Sequence, residues 1–207
     1  PLPQVAARHQ VASMERRHWD ARTPKVGERA PDSLLLDEAG KPTTLGKAAD
    51  GRPLVLLFIR SHEAAVCVRQ LLEYRDATLG FTRLGARVVA VSAAEPSLLA
   101  FFRRERGIGF ALLADPGKEV IEAWGLLDAA DHGGVAHPAT FVLDGARVVR
   151  QRTLDAPARR TPADSIQRFV LRGGAAKSGA LAGLGARLRQ AGTAIQNALK
   201  PPKALVR

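Results

Sequence analysis

At 207 residues the chain is long enough for one sizeable core with appendages and short for two full domains. Hydrophobic residues make up 46% and charged residues 25%, as in ordinary soluble globular proteins, and no run of about 18 apolar residues exists to span a bilayer. The net charge is +11, but it is concentrated at the ends. From Arg172 to Arg207 there are seven basic residues and no acid, and residues 1–30 carry a net +3, which leaves +1 of the +11 for residues 31–171. The basicity therefore describes the ends and excludes little about the body.

In chain order, Ser13–Arg22 reads as a short helix after a Ser N-cap, and the turn-rich TPKVGERAPD marks the entry to the body. SLLLDEAGKPTTL reads as a hairpin around Glu38-Ala39-Gly40-Lys41-Pro42. The continuous apolar run Arg52–Arg60 has the length of a strand buried on both faces. A helix pattern follows, with Val66, Leu71, Leu72 and Leu79 near one stripe. Ala86–Ala93 is a second buried strand, and EPSLLAFFRRERG has a Pro near its start and helical spacing after it. FALLAD is strand-like, and KEVIEAWGL is a helix ending at Gly125. PATFVLDGARVVRQRTL predicts a hairpin turned at Asp144-Gly145. TPADSIQRFVLRGG predicts a helix with Thr161 as N-cap, Pro162 at its first position and Gly173 after its end. Alternating strands and helices imply parallel pairing with helices on both faces of a small mixed sheet.

The only cysteine, Cys67, lies where the apolar strand gives way to the helix. One cysteine excludes an internal disulfide and makes a reducing cytoplasm the expected location; the opening PLPQVAARHQ lacks the charged-then-apolar order of a secretory signal. A thiol at a helix start is either a nucleophile, favoured as thiolate by the free N–H groups and dipole there, or a small buried residue.

The element order, together with VGERAPD, RPLVLLFIR followed by Cys67, the run from Gly85 to Leu126 containing VSAAEPS and LLADP, and HPATFVLDGARVV, resembles the alkyl hydroperoxide reductase/thiol-specific antioxidant family. That is the peroxiredoxin branch of the thioredoxin fold. The resemblance covers roughly Val26 to Leu171 and implies an α/β thioredoxin-like fold: a central mixed sheet flanked by helices. The domain expected is 26–172, between an N-terminal extension (1–25) and a basic tail (173–207) that is helical or flexible. The active-site match is poorer. In the family's Pro-x-x-x-Thr/Ser-x-x-Cys motif, aligned on Cys67, the Pro position is Arg60 and the Thr position is Ala64. A subgroup with Phe-x-Arg-Gly-x-Trp-Cys-Pro-x-Cys matches at Phe58, Arg60 and Cys67, with Ala64 in place of its first Cys. The family's second arginine, which precedes the Thr-Phe strand, is replaced by Pro138.

The resemblance implies Cys67 as a peroxidatic or redox-sensing nucleophile that forms a sulfenic acid. Arg60 is a candidate cation beside it, and His137 a candidate base or cation facing the helix start. Ala64 cannot supply the missing hydroxyl, and Pro138 is structural at the site. With no second cysteine, turnover requires peroxide and an external thiol. No cofactor is implied; His62-Glu63 beside Cys67 suggests a metal pair, but Cys67, His62 and the remote His132 do not make a recognised metal-ligand spacing. A homodimer is open to it. The alternative is a non-catalytic thioredoxin-fold protein that uses its tail. There Leu181, Leu184, Leu188, Ile195 and Leu199 recur at helical spacing among basic residues, as in segments that dock on anionic membrane or an acidic partner. The stretch has no aromatic residue, which argues against nucleic acid.

Overall fold

The computed structural model describes residues 19–131, 133–156 and 158–175. Of the expected first helix, Trp19–Arg22 are helical and Ser13–His18 lie outside the described residues. Strands β1 (Leu34–Leu36) and β2 (Pro42–Thr44) pair antiparallel as the first hairpin. Its turn is organised by Asp37, whose carboxylate accepts from the backbone N–H of Ala39 and of Lys41, each at 2.9 Å. A short helix α1 (Leu45–Ala49) follows, capped by the Thr44 hydroxyl, which accepts from Lys47 N at 3.2 Å. Periodicity does not reveal it, because five residues make little more than one turn.

The body alternates strand and helix as the pattern predicts. It runs β3 (Leu54–Phe58), α2 (Ala65–Arg83), β4 (Arg87–Ser92), α3 (Pro96–Arg106), β5 (Ala111–Ala114) and α4 (Glu119–Ala123). Pro96 opens α3, and Gly107, at φ 60°, ends it in the left-handed conformation that suits glycine. Gly125 closes the segment after α4, and a β-carbon there would lie 2.5 Å from the Arg22 carbonyl oxygen. Two elements escape sequence reading: the two-residue strands β6 (Leu127–Asp128) and β7 (Val135–Ala136), paired antiparallel. The closing hairpin is β8 (Ala139–Leu143) and β9 (Val149–Leu154). Its turn is wider than two residues, because the buried Asp144 carboxylate accepts from both Ala146 N (2.8 Å) and Val148 N (3.0 Å).

The seven-stranded sheet runs β2-β1-β5-β4-β3-β8-β9. Strands β3, β4 and β5 are parallel, and β8 is antiparallel to β3 with Phe58 opposite Ala139 and Leu54 opposite Leu143. All five side chains of β3 are buried, and they alternate between two cores. Val55, Leu57 and Ile59 pack with Cys67, Leu71, Tyr74 and Phe81 on α2 and with Leu99 and Phe102 on α3. Leu54, Leu56 and Phe58 pack on the other face with Leu45, Val120, Ile121 and Trp124. A sheet covered on both faces is what the continuous apolar run of β3 requires.

The last helix, α5 (Ala163–Leu171), starts one residue later than expected. Pro162, not Thr161, is its N-cap, and the Thr161 hydroxyl donates instead to the buried Asp155. The compact unit ends at Ala175, whose side chain is buried in the α2–α5 core, three residues beyond the expected boundary at 172. The tail from 176 onward, with its apolar stripe, lies outside the described residues.

Candidate active site

The site forms where β3 ends. Residues 59–64 leave the carboxyl end of β3, an interior strand, and Ala64, in extended backbone (φ −64°, ψ 119°), is the N-cap of α2. No side chain caps this end, and no acidic residue occupies its first turn. The first helical bond is Val68 N to Ala64 O at 2.9 Å. Cys67, the third helical residue, thus sits among backbone N–H groups with no carbonyl one turn back, where the dipole favours negative charge. Its side chain is fully buried against the sheet.

Arg160, in the loop between β9 and α5, reaches this thiol. Its Nη2 donates to Cys67 Sγ at 3.3 Å, while its Nη1 donates to Ala156 O (2.8 Å) and Arg159 O (3.1 Å). The guanidinium is therefore held by its own loop and aimed at the sulfur.

A buried polar network fixes that loop to the body. Asp155 Oδ1 accepts from the Thr161 hydroxyl at 2.6 Å, and Oδ2 from the Thr140 hydroxyl at 3.1 Å. Thr140 Oγ1 in turn accepts from Gln70 Nε2 at 3.5 Å, and Gln70 lies on α2 one turn after Cys67. Tyr74, one turn further along, donates its hydroxyl to Thr161 O at 3.1 Å. Glu73 accepts from Ala163 N at 2.7 Å, which ties the start of α5 to α2. Burial pushes the Asp155 carboxyl above the ordinary aspartate value, against the pull of its Thr161 and Thr140 hydrogen bonds and of the Arg160 charge. Burial likewise raises the Tyr74 hydroxyl, so it remains a donor.

The residues singled out from sequence gather around this centre in different ways. Arg60 pairs with Asp131, so its charge is met by a carboxylate, whereas the guanidinium on Cys67 is that of Arg160. His137 donates its backbone N–H to Leu126 O at 2.7 Å and stacks its ring on Trp19, with centroids 4.7 Å apart. Burial lowers its pKa to about 4; Asp128 opposes the shift, and the positive charges of Arg160 and Arg60 add to it. Near pH 7 the imidazole is neutral, so it brings no positive charge to the thiol. Pro138 is buried and follows a trans peptide bond, and its carbonyl accepts from Asp155 N at 2.9 Å. It anchors the same loop that carries Arg160. Ala64 forms part of the wall of a cleft of about 730 Å³ beside the helix start, together with Arg60, Glu63, Lys118 and Asp131. Sequence reasoning missed Arg160 and Asp155. The one available signal was the Arg159-Arg160 pair just before a helix start, 93 residues from the thiol.

The family model described as "AhpC/TSA family" matches residues 26–152. The chain belongs to the AhpC/TSA family. Among curated AhpC/TSA relatives, a putative peroxiredoxin of Mycobacterium tuberculosis (strain CDC 1551 / Oshkosh) is 34% identical over 136 residues, which cover 63% of this chain and 86% of that protein. The chloroplastic peroxiredoxin Q of Populus jackii is 33% identical over 124 residues, 60% of this chain and 57% of that protein, so the chain spans little more than half of that relative. Among solved structures, peroxidoxin BcpB from Mycobacterium tuberculosis aligns with a TM-score of 0.60 at 22% identity, covering 74% of this chain and 95% of that one. A peroxiredoxin-like protein from Aquifex aeolicus aligns with a TM-score of 0.65 at 22% identity, covering 72% and 88%. At that identity the structural likeness establishes the fold. The matched segment holds Cys67, the one cysteine of the sequence.

Proposed function

We propose that the protein is a one-cysteine thiol peroxidase in which Cys67 is the peroxidatic residue and Arg160 its charge partner. The observation that carries this reading is the Arg160 guanidinium 3.3 Å from Cys67 Sγ at the uncapped start of α2. A guanidinium and free helix N–H groups both favour thiolate, the nucleophilic form. The thiolate attacks one peroxide oxygen, the O–O bond breaks, and the departing oxygen leaves with a proton as water or alcohol. Cys67 is left as a sulfenic acid. An external thiol then returns it to the reduced state. Such turnover suits a reducing compartment such as the cytoplasm, where thiols are abundant.

The deciding experiment treats the protein with peroxide and a sulfenic-acid probe. Probe adduct should form on Cys67, and Cys67→Ser should abolish both the adduct and thiol-dependent peroxide consumption. Consumption that survives in Cys67→Ser would overturn the assignment. Full burial of Cys67 favours a second reading, a packed thiol in a binding scaffold. On that reading no adduct forms even in excess peroxide. The full chain would instead bind anionic vesicles at low salt, and a chain ending at Ala175, which lacks six basic residues of the tail, would not.

A further inference from the structure

Helices α2, α3 and α5 cover one face of the sheet, with Leu71, Phe102 and Ile166 turned into their shared core. The outer side of this layer meets water, and the exposed apolar side chains gather there. Six large ones are exposed among the described residues. Four of them stand on these three helices, at 49–68% exposure: Leu79 on α2, Leu98 and Phe101 on α3, and Leu171 on α5.

Charge gathers on the same layer. The three helices carry seven arginines and four carboxylates, a net +3. Residues 31–171 as a whole carry +1, which leaves −2 for the rest of that stretch. The body is therefore polarised although its total charge is close to nil. The helices hold no Lys or His, so every positive charge on them is a guanidinium. Asp76, Glu105 and Asp164 pair with Arg75, Arg104 and Arg168. Arg69, Arg83 and Arg106 are exposed and meet no carboxylate among the described residues. Arg104 also lies over the Phe101 ring, 5.5 Å from its centroid.

The arrangement selects the kind of partner. A protein interface gathers its apolar side chains into a charge-depleted centre. Here they are staggered. Arg75 Nη1 donates to Arg106 O at 2.9 Å, which sets the end of α3 beside the middle of α2. Leu79 lies one turn beyond that contact and Phe101 more than one turn before it, with Arg75, Arg104 and Arg106 between them. Separate apolar side chains among arginines suit a bilayer interface. Leu and Phe enter the headgroup layer, and guanidinium groups take phosphate in bidentate fashion.

We propose that the outer face of α2, α3 and α5 is a docking surface for an anionic phospholipid bilayer, with Leu79, Leu98 and Phe101 entering the interface and Arg69, Arg83 and Arg106 meeting lipid phosphates. No helix among the described residues is long and apolar enough to cross a membrane, so the contact is peripheral. The inference rests neither on the peroxidase reading of Cys67 nor on the basic tail.

The test uses the full chain at low salt with vesicles of phosphatidylglycerol and phosphatidylcholine in equal parts. In a Cys67→Ser background, Phe101→Cys carries an environment-sensitive fluorophore. Ala123→Cys, exposed on α4 across the sheet, carries it as the control. Vesicles should shift the emission at 101 to the blue and leave that at 123 unchanged. Binding through the tail alone would leave both labels in water and would overturn the proposal. In sedimentation with the same vesicles, Leu79→Ser combined with Phe101→Ser should weaken binding about tenfold, and Arg69→Gln combined with Arg83→Gln by a similar factor. Binding by both double variants within about twofold of the unsubstituted chain would overturn it, as would equal binding to phosphatidylcholine alone. A chain that is oligomeric without vesicles and becomes monomeric with Leu79→Ser and Phe101→Ser would overturn it in favour of a second copy on this face.

Discussion

Two arginines lie near the start of α2, and they do different jobs. Arg60 leaves β3 seven residues before Cys67 and stands on the cleft wall, where Asp131 meets its charge. Arg160 comes from the far end of the domain, is held by carbonyls of its own loop through Nη1, and donates to the sulfur through Nη2. A positive charge already matched by a carboxylate does little for a neighbouring thiolate. One held by backbone carbonyls and hydrogen-bonded to the sulfur acts on the thiolate directly. Nearness in sequence therefore picks the wall of the cleft, and the crossing topology supplies the thiol's partner.

The comparison breaks most visibly if the two arginines are removed in turn. Arg160→Met should slow peroxide oxidation of Cys67 by about 10- to 100-fold, the worth of a charge-assisted hydrogen bond. Arg60→Met should change it by less than about threefold. Stopped-flow oxidation with mass-spectrometric detection checks both, and equal losses would erase the distinction. Next in size is the network that holds the Arg160 loop. Asp155→Asn should lower stability by about 1–2 kcal/mol, read from urea unfolding, and slow oxidation about fivefold, because one of the two hydroxyls then faces an amide NH2 in place of an acceptor and the loop's tether weakens.

His137 gives a pH signature instead. Its pKa falls from 6.5 to about 4 on folding, so the unfolded chain binds the extra proton first as pH drops. Stability is then full above about pH 6.5 and is lost progressively down to about pH 4, by up to ~2 kcal/mol after allowing for partial exposure. His137→Phe keeps the stack on Trp19 and should flatten that slope; an unchanged slope would assign it elsewhere. The smallest effect expected is from Ala64→Thr. A hydroxyl at the helix start should speed oxidation about threefold, and any slowing would mean the wall there has no room for it.

Much of the fold was legible because its signals are local. The unbroken apolar run of β3 announces a strand covered on both faces, and Pro96 and Gly107 bracket α3. The elements missed, α1 and the β6–β7 pair, are too short to show a period. At the site, position was legible and partnership was not. Cys67 could be placed at a helix start from the order of strand and helix. Arg160, Asp155 and Thr140 could not be joined to it, because their contacts span 15 to 93 residues and depend on how the β8–β9 hairpin docks. The start of α5 shows the same limit. Thr161 has the identity of an N-cap, but the buried Asp155 claims its hydroxyl, and the helix begins after Pro162.

The complete burial of Cys67, the only thiol in the chain, also makes it a gauge. A bulky alkylating reagent can react only in molecules whose α2 start has swung open. When closing outruns reaction, the labelling rate divided by that of the unfolded chain equals the equilibrium fraction of open molecules. A single mass shift, followed in time at several denaturant concentrations, thus distinguishes an opening confined to the first turn of α2 from unfolding of the whole domain. The first varies little with denaturant, and the second steeply.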